Sequence, residues 1–298
     1  MTFHLGYLLF DEAGAHVRCK CDDPLNAHQL KILEEAQSVV SSVYEVVETS
    51  DFFRLNLEDF ASTASHVLEE AKAGGAKIVS DPNWLLRAKT RFGQRFSNIL
   101  YSFSAMRDIC SRIISSSFGD KSQQAKGFKK LLSDEFDNCF AHRLFYKLRN
   151  YSSHYSIPDL DIYLLRLPQR GGPAESAELK IEISKTVLTV SSFGWGKILI
   201  ADLTSPPDEI NIAEVIQELG MSMVRMLSYV LNSYEGRLVK SGYVLWSACF
   251  VAGVPENGRL VAWDGTRVTS QDHDGCRLML VPQFNDCWRQ LQSAKASV

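Results

Sequence analysis

A long helical pattern limits the folds open to this chain more than any other feature of its sequence. The pattern begins at Asp81-Pro82, because aspartate caps helix N-termini and proline is tolerated in the first helical turn. It continues without a break until Gly119. One face of the predicted helix is apolar, and its stripe consists of Phe96, Leu100, Phe103, Met106, Ile109 and Ile113.

Helical patterns also lie on both sides of this segment. Residues 25–75 have apolar positions at helical spacing, with a new helix start predicted at Asn56. A long helix is predicted over residues 124–154, ending before Pro158 because proline disfavours helical geometry in the preceding residue. The last helix is predicted from about residue 208 to 235. The fold class that follows is mainly α.

Three regions are typical of β-structure instead. Residues 1–24 are predicted to be extended, and a β-hairpin is predicted at about 178–203, where "AELKIEISKTVLTV" would pair with "WGKILIADL". Residues 237–298 are predicted to be β-rich. The domain plan is therefore a helical bundle over 25–236 with an inserted hairpin, between two β-rich terminal segments. The last of these segments would either complete a sheet with residues 3–21 or recognise a partner.

Composition narrows the class of protein. The 298 residues are 45% hydrophobic and 22% charged, as in ordinary globular proteins, and the formal net charge of −3 means that any nucleic-acid contact needs a local basic surface. The apolar run Phe3–Phe10 is too short to span a bilayer and has no basic leader. Seven irregularly spaced cysteines suggest no disulfide framework. We therefore expect a cytoplasmic protein that does not enter the membrane.

The stretch "LRNYSSHYSIP" carries the residues best suited to chemistry. At the end of a predicted helix, Asn150 and His154 are four apart and share a face, and the long side chain of Arg149 can reach the same place. Ser153 adds a hydroxyl beside them. Histidine can take and return a proton near neutral pH, and arginine binds phosphate with two parallel hydrogen bonds. These are the groups that RNA cleavage by the 2′-hydroxyl requires, because a base must act while a cation stabilises the phosphorane.

The segment "RNYSSH" has the form R-x4-H and resembles the R-x(4–6)-H motif of the HEPN superfamily of helical-bundle ribonucleases. The preceding "SNILYSFSAMRD" resembles the helix that packs against the motif in this group. The resemblance covers roughly residues 25–236. It implies a metal-independent endoribonuclease of toxin–antitoxin or phage-defence type, with Arg149 and His154 catalytic and Asn150 supporting, and without a cofactor. It also implies a homodimer and a possible antitoxin or defence partner. Some members carry a modified tyrosine two residues after the histidine, where this chain has Ser156.

Several further residues are candidates for the same site. Ser104 and Asp108 share a helix face that could point toward the motif, although Asp108 could equally pair with Arg112. Tyr155 directly follows His154 and is a supporting candidate. A basic stripe at four-residue intervals could follow an RNA backbone or could simply be a solvated face, and it consists of Arg87, Arg91 and Arg95.

No metal site is predicted. His16, Cys19 and Cys21 lie close together, as do the residues 272–276, but neither group has the ligand spacing of a structural zinc site. The alternative to an enzyme is a non-catalytic helical module that binds a partner protein or a nucleotide. In that case the motif would serve only to cap a helix or pack a dimer.

Overall fold

The computed structural model of the chain describes residues 2–11, 14–19, 24–167, 176–255, 258–264, 276–279 and 281–296. It is mainly helical, as predicted. The helices are α1 (Ala27–Val79), α2 (Pro82–Phe118), α3 (Gln123–Asn138), α4 (Phe140–His154), α5 (Lys185–Val190), α6 (Lys197–Thr204), α7 (Ile212–Ala252) and α8 (Val281–Ala296). The strands are β1 (His4–Asp11), β2 (Gly14–Cys19), β3 (Asp161–Leu167), β4 (Ser176–Ser184), β5 (Glu209–Asn211), β6 (Arg259–Trp263) and β7 (Cys276–Leu278).

The chain forms two compact units, whose boundaries lie within α1 and α7. Met1–Glu48 and Leu227–Val298 make up what we call the two-segment unit. Thr49–Met226 make up the central unit. Over the described residues, none of the helices has a stretch long and apolar enough to cross a membrane.

The two-segment unit contains an antiparallel sheet of four strands in the order β2-β1-β6-β7. β1 pairs with β6 in a register that places Leu8 opposite Arg259. Leu8 is fully buried, and so are Val261 and Ala262 of β6. The C-terminal β-segment therefore completes a sheet with the first strands, which was one of the two roles considered for it.

The central unit is built around the apolar face of α2, which packs on α3 and α4. Phe96 and Phe103 of α2 both contact Phe145 of α4, with ring centroids 5.4 and 6.2 Å apart. Of the predicted apolar stripe, all members except Ile109 are among the buried residues. A second antiparallel sheet, in the order β3-β4-β5, belongs to the same unit. This packing fixes the surface where α2 and α4 meet, which carries the candidate site.

The predicted start of α2 at Asp81-Pro82 and its predicted end at Gly119 are both confirmed. The Asp81 carboxylate accepts a hydrogen bond from the backbone N–H of Asn83 at 2.9 Å, and Gly119 ends the helix with a φ of 85°. The start predicted at Asn56 is wrong, because α1 continues through it. α1 is instead kinked at Gly75, where a φ of 57° requires glycine.

The single helix predicted over residues 124–154 is also wrong, because it is two helices. Cys139 has extended backbone angles (φ −111°, ψ 110°) that end α3 and begin α4. Its Sγ accepts a hydrogen bond from the backbone N–H of His142 at 3.4 Å, so the cysteine acts as an N-cap. No sequence signal marks it, since cysteine is not among the preferred capping residues.

The hairpin predicted at 178–203 is wrong. The first half is indeed strand β4, but its partners are β3 and β5. The remainder forms the short helices α5 and α6, which pack on each other through buried Leu188, Leu199 and Leu203. Threonine and valine in "KTVLTV" favour a strand locally, but tertiary packing of an amphipathic helix outweighs that preference.

The prediction of β-structure directly after residue 237 is wrong as well, because α7 continues to Ala252. The run "GYVLWSACFVA" is rich in residues that favour strands, yet its burial follows a helical period. The residues that face inward recur every three or four positions, namely Leu231, Tyr234, Leu238, Ser241, Leu245, Ala248 and Ala252. Beyond the helix, β6 and β7 confirm strands in this region, and α8 was not predicted.

Candidate active site

A small cleft of about 110 Å³ lies where α2 crosses α4. It brings together four residues that the sequence nominated separately. Ser104 and Asp108 come from α2, and Arg149 and Asn150 come from α4. The remaining lining residues are Phe103, Arg107 and Tyr146. The long-range packing of the two helices thus makes one polar site from residues more than forty positions apart.

Arg149 is the central cation of the cleft. Its Nη1 donates a hydrogen bond to Oδ1 of Asn150 at 3.3 Å. Its Nε is buried and has no hydrogen-bond partner among the described residues. A buried donor left unpaired costs about 1–3 kcal/mol, and more when it carries charge. This geometry favours an acceptor, and above all an anionic one, that enters the cleft and satisfies the Nε–H.

Arg107 is a second cation in the cleft that sequence reasoning missed. Its guanidinium lies over the ring of Tyr146, 4.3 Å from the centroid, and its Nη2 is 3.4 Å from the carboxylate of Asp108. Stacking on the ring holds the planar group in place. The signal was available, because Arg107 is three residues after Ser104 on the same helix face.

His154 is the last residue of α4 and is exposed. Among the described residues its side chain makes no hydrogen bond, ion pair or ring contact, and it does not line the cleft. Its position, four residues after Asn150, still places it one helical turn beyond the cleft.

The other two supporting candidates, Ser153 and Tyr155, make different contacts. The hydroxyl of Ser153 donates a hydrogen bond to the backbone carbonyl of Arg149 at 3.0 Å, so it is occupied by its own helix. Tyr155 is the C-cap residue that follows α4, and its ring stacks on Tyr151 with centroids 5.0 Å apart. Ser153 is thus placed to close the helix rather than to contact a ligand.

The predicted basic stripe on α2 is largely paired with carboxylates of α1. Arg91 lies 2.9 Å from Glu70, and Arg95 lies 3.5 Å from Asp59. The hydrogen bond from Arg91 holds the pKa of Glu70 below its usual value. Arg87 is exposed on the same helix. These pairs lower the net positive potential of the stripe, and its contact with RNA stays a prediction.

Sequence reasoning also missed a buried polar cluster, formed by side chains of α3, α4 and α7. Nδ1 of His142 lies 2.9 Å from Oγ of Ser222. Arg225 binds the Glu135 carboxylate with two hydrogen bonds, of 2.5 and 2.8 Å. Burial lowers the pKa of His142 to about 4. Burial alone would raise the pKa of Glu135, but the hydrogen bonds from Arg225 and Ser222 bring it below its usual value.

The cluster is adjacent to the cleft through one ring contact. The imidazole of His142 packs edge-on against Phe103, with centroids 5.1 Å apart, and Phe103 lines the cleft. His142 and Ser222 are only 1% and 0% exposed, so neither meets a ligand directly. We assign this cluster to holding α3, α4 and α7 together beneath the site.

No group of three or more histidine, cysteine, aspartate or glutamate side chains that could hold a metal ion is found among the described residues. The two groups considered from the sequence, at 16–21 and 272–276, lie outside the residues whose side chains the structure describes. Comparison of the chain with models of protein families, with curated proteins and with solved structures found no match. The chemistry of the cleft is therefore judged on its own geometry.

Proposed function

We propose that the chain is a metal-independent endoribonuclease of HEPN type that cleaves RNA as a homodimer in the cytoplasm, in a toxin or antiviral-defence role. The observation that carries the proposal is the Arg149 guanidinium, whose buried Nε has no partner among the described residues and lies in a cleft that also holds Arg107. One helical turn away lies the exposed His154. This is an anion site with an acid–base group beside it.

The proposed step is an internal transfer at one phosphodiester. The 2′-oxygen attacks phosphorus while His154 takes its proton, the bond from phosphorus to the 5′-oxygen breaks, and His154 returns the proton to the leaving 5′-oxygen. The products are a 2′,3′-cyclic phosphate and a 5′-hydroxyl. Arg149 and Arg107 supply the positive charge that stabilises the phosphorane, and Asn150 fixes Arg149 through the 3.3 Å hydrogen bond. Because the attacking group is the 2′-hydroxyl, DNA is not a substrate.

The dimer follows from the resemblance, which places two copies of the motif across a shared cleft. A dimer would account for the position of His154, which lies outside the cleft of its own chain. An antitoxin or other defence partner that blocks the same face is part of the same proposal.

The test is cleavage of a mixed RNA pool in EDTA by the native chain and by the variants His154→Ala and Arg149→Ala. We expect each variant to lose at least about 100-fold in rate, the usual contribution of a general acid–base group or a charge-stabilising donor. His66→Ala is the matched control, because His66 is another exposed histidine on a helix of the central unit. Fragments should carry 2′,3′-cyclic phosphate ends. Equal rates in all four proteins would refute the assignment.

The second candidate is a non-catalytic module that binds a partner protein, and a surface of the two-segment unit favours it. The end of α7 exposes large apolar side chains, with Tyr243 78% and Phe250 88% exposed. Val239 and Trp246 continue the row at helical spacing. An apolar groove of about 550 Å³ runs beside it, between the start of α1 and the end of α7.

The two candidates differ in what each surface does. If the native chain neither cleaves nor binds RNA, while Trp246→Ser with Phe250→Ser changes its sedimentation coefficient, the module is the better description. If cleavage persists in that double variant and disappears in His154→Ala, the enzyme is.

A further inference from the structure

Four aromatic rings gather where α4 ends, and three of them form a stack. Tyr151 lies nearly parallel to Tyr155, with centroids 5.0 Å apart and planes 4° apart. Trp195 stacks on Tyr151 at 5.2 Å and 25°. Phe193 stands perpendicular to both tyrosines, at 5.5 and 5.9 Å. A ring that touches both members of a parallel pair must lie beside the pair, so Phe193 does not cover the outer face of Tyr155.

Exposure follows the order of the stack. Trp195 is 3% exposed and Tyr151 is 7% exposed, whereas Tyr155 is 49% exposed. Tyr155 is therefore the outermost ring of the stack, with one face on Tyr151 and about half of the residue exposed. The stack ends in a flat aromatic surface rather than in a buried contact.

The ring of Tyr155 is held in place by a hydrogen bond as well as by its stacking on Tyr151. Its Oη forms a hydrogen bond with Oγ of Ser192 at 3.1 Å. The segment that carries Ser192 is itself tied to α4, because Nζ of Lys147 donates to the backbone carbonyl of Gly194 at 3.3 Å. Trp195 donates from Nε1 to the carbonyl of Leu188 at 3.0 Å. A ring fixed in this way loses little conformational entropy when a ligand stacks on it.

We propose that Tyr155 is a stacking platform for an unpaired base of the RNA whose phosphate binds at Arg149, which makes single-stranded RNA the substrate class. The inference rests on the proposed function and extends it. Tyr155 directly follows His154, so its ring and the proposed acid–base group lie at the same end of α4. Base stacking on an aromatic side chain contributes about 1–3 kcal/mol and tolerates every base. A base inside a duplex has both faces occupied, so the platform selects loops and single strands.

The first experiment measures binding without cleavage. The probe is a single-stranded RNA octamer that carries one 2-aminopurine. Its 2′-oxygens are methylated, so they cannot attack the phosphodiester and the probe is not cleaved. We expect Tyr155→Ala and Tyr155→Leu to bind it roughly 5- to 150-fold more weakly than the native chain, as the loss of one stacked base predicts. Tyr155→Phe keeps the ring and should bind nearly as the native chain does. The 2-aminopurine fluorescence should be quenched by the native chain and by Tyr155→Phe only.

The controls separate stacking from folding. Tyr163→Ala removes another tyrosine of similar exposure, 46%, and should leave binding unchanged. Tyr155→Leu keeps apolar bulk on Tyr151 without an aromatic face, so a loss shared with Tyr155→Ala reports stacking when both variants have native circular dichroism. A loss confined to Tyr155→Ala would report a disturbed helix end and would overturn the proposal.

The remaining outcomes distinguish the platform from the enzyme. Unchanged binding by Tyr155→Ala, with cleavage of ordinary RNA intact, overturns the platform and leaves the ribonuclease standing. Quenched, Tyr155-dependent binding without cleavage by the native chain supports the platform and overturns the ribonuclease. Absence of binding and of cleavage by the native chain overturns both.

Discussion

His142 is expected to make the stability of the central unit fall as the pH drops from 8 to 5. Its imidazole is 1% exposed, and burial lowers its pKa from 6.5 to about 4. Glu135 opposes this effect, whereas the charges of Arg107 and Arg225 add to it. A histidine whose pKa is depressed by folding binds protons more readily in the unfolded chain. The destabilisation this causes is absent well above pH 6.5 and grows as the pH falls from 6.5 toward 4.

The size of the loss follows from the two pKa values. A pKa that moves from 6.5 to about 4 corresponds to about 3.4 kcal/mol between the two protonation states. At pH 5 the unfolded histidine is almost fully protonated while the native one is still mostly neutral, and the linkage relation then gives about 2 kcal/mol. At pH 8 neither form is protonated, so the contribution is close to zero.

Urea unfolding at pH 8 and at pH 5 measures this difference, with circular dichroism for the helices and fluorescence for Trp84 and Trp195 of the central unit. The variant is His142→Gln, which cannot titrate but can still bond to the hydroxyl of Ser222. Relative to the native chain, its fall in unfolding free energy between the two pH values should be smaller by about 2 kcal/mol. Leu144→Val, a buried and uncharged change on the same helix, should shift both values equally.

The result that would contradict this reasoning is a native pH dependence that His142→Gln leaves unaltered. It would mean that the imidazole gains a proton in the folded chain as easily as in the unfolded one. The buried polar cluster would then have to be open to water.

Two further predictions concern the ion pair of Arg225 with Glu135 and the packing around Gly242. Arg225→Met should lower the unfolding free energy by about 1–3 kcal/mol, because it removes two hydrogen bonds to the buried Glu135 carboxylate while the arginine itself is 45% exposed, and an unchanged urea midpoint would contradict this. Gly242→Ala should lower it by about 1–3 kcal/mol, because the added Cβ would lie 2.2 Å from Cζ of Phe284. Gly236→Ala, in the same helix with open space around it, should instead raise stability by up to about 1 kcal/mol, and equal thermal midpoints for the two alanine variants would show that the Phe284 contact is unimportant.

The parts of the fold that the sequence predicted are those with local causes. Asp81 and Gly119 mark the ends of α2 through their own backbone and side-chain geometry, so they could be located without knowledge of the rest. The extended first strands likewise follow from local pattern. The end of α7 could not be located, because Tyr243, Val244 and Trp246 favour a strand and only the burial of every third or fourth residue favours the helix.

The same distinction applies to the site. Arg149, Asn150 and His154 lie close together in sequence at the end of one helix, so the helical period alone predicts that they are near one another. Ser104 and Asp108 were predictable as neighbours of the motif because they share one face of α2, and the structure places them in the same cleft. The buried polar cluster was not predictable, since it joins His142 to Ser222 across 80 positions. Only the packing of α7 against α4 brings those two side chains together.

The division of the chain into units has a consequence for its synthesis on the ribosome. Thr49–Met226 are continuous in sequence, so all partners for the central unit have left the ribosome before the last residues are translated. The sheet of the two-segment unit has to wait, because β1 pairs with β6 through residues such as Leu8 and Arg259, which are separated by most of the chain. During that interval the edge of β1 that will meet β6 is unpaired and its buried side chains face water, and such an edge pairs readily with other strands. Premature release of the nascent chain before Arg259 should therefore yield a folded central unit joined to an aggregation-prone N-terminal segment.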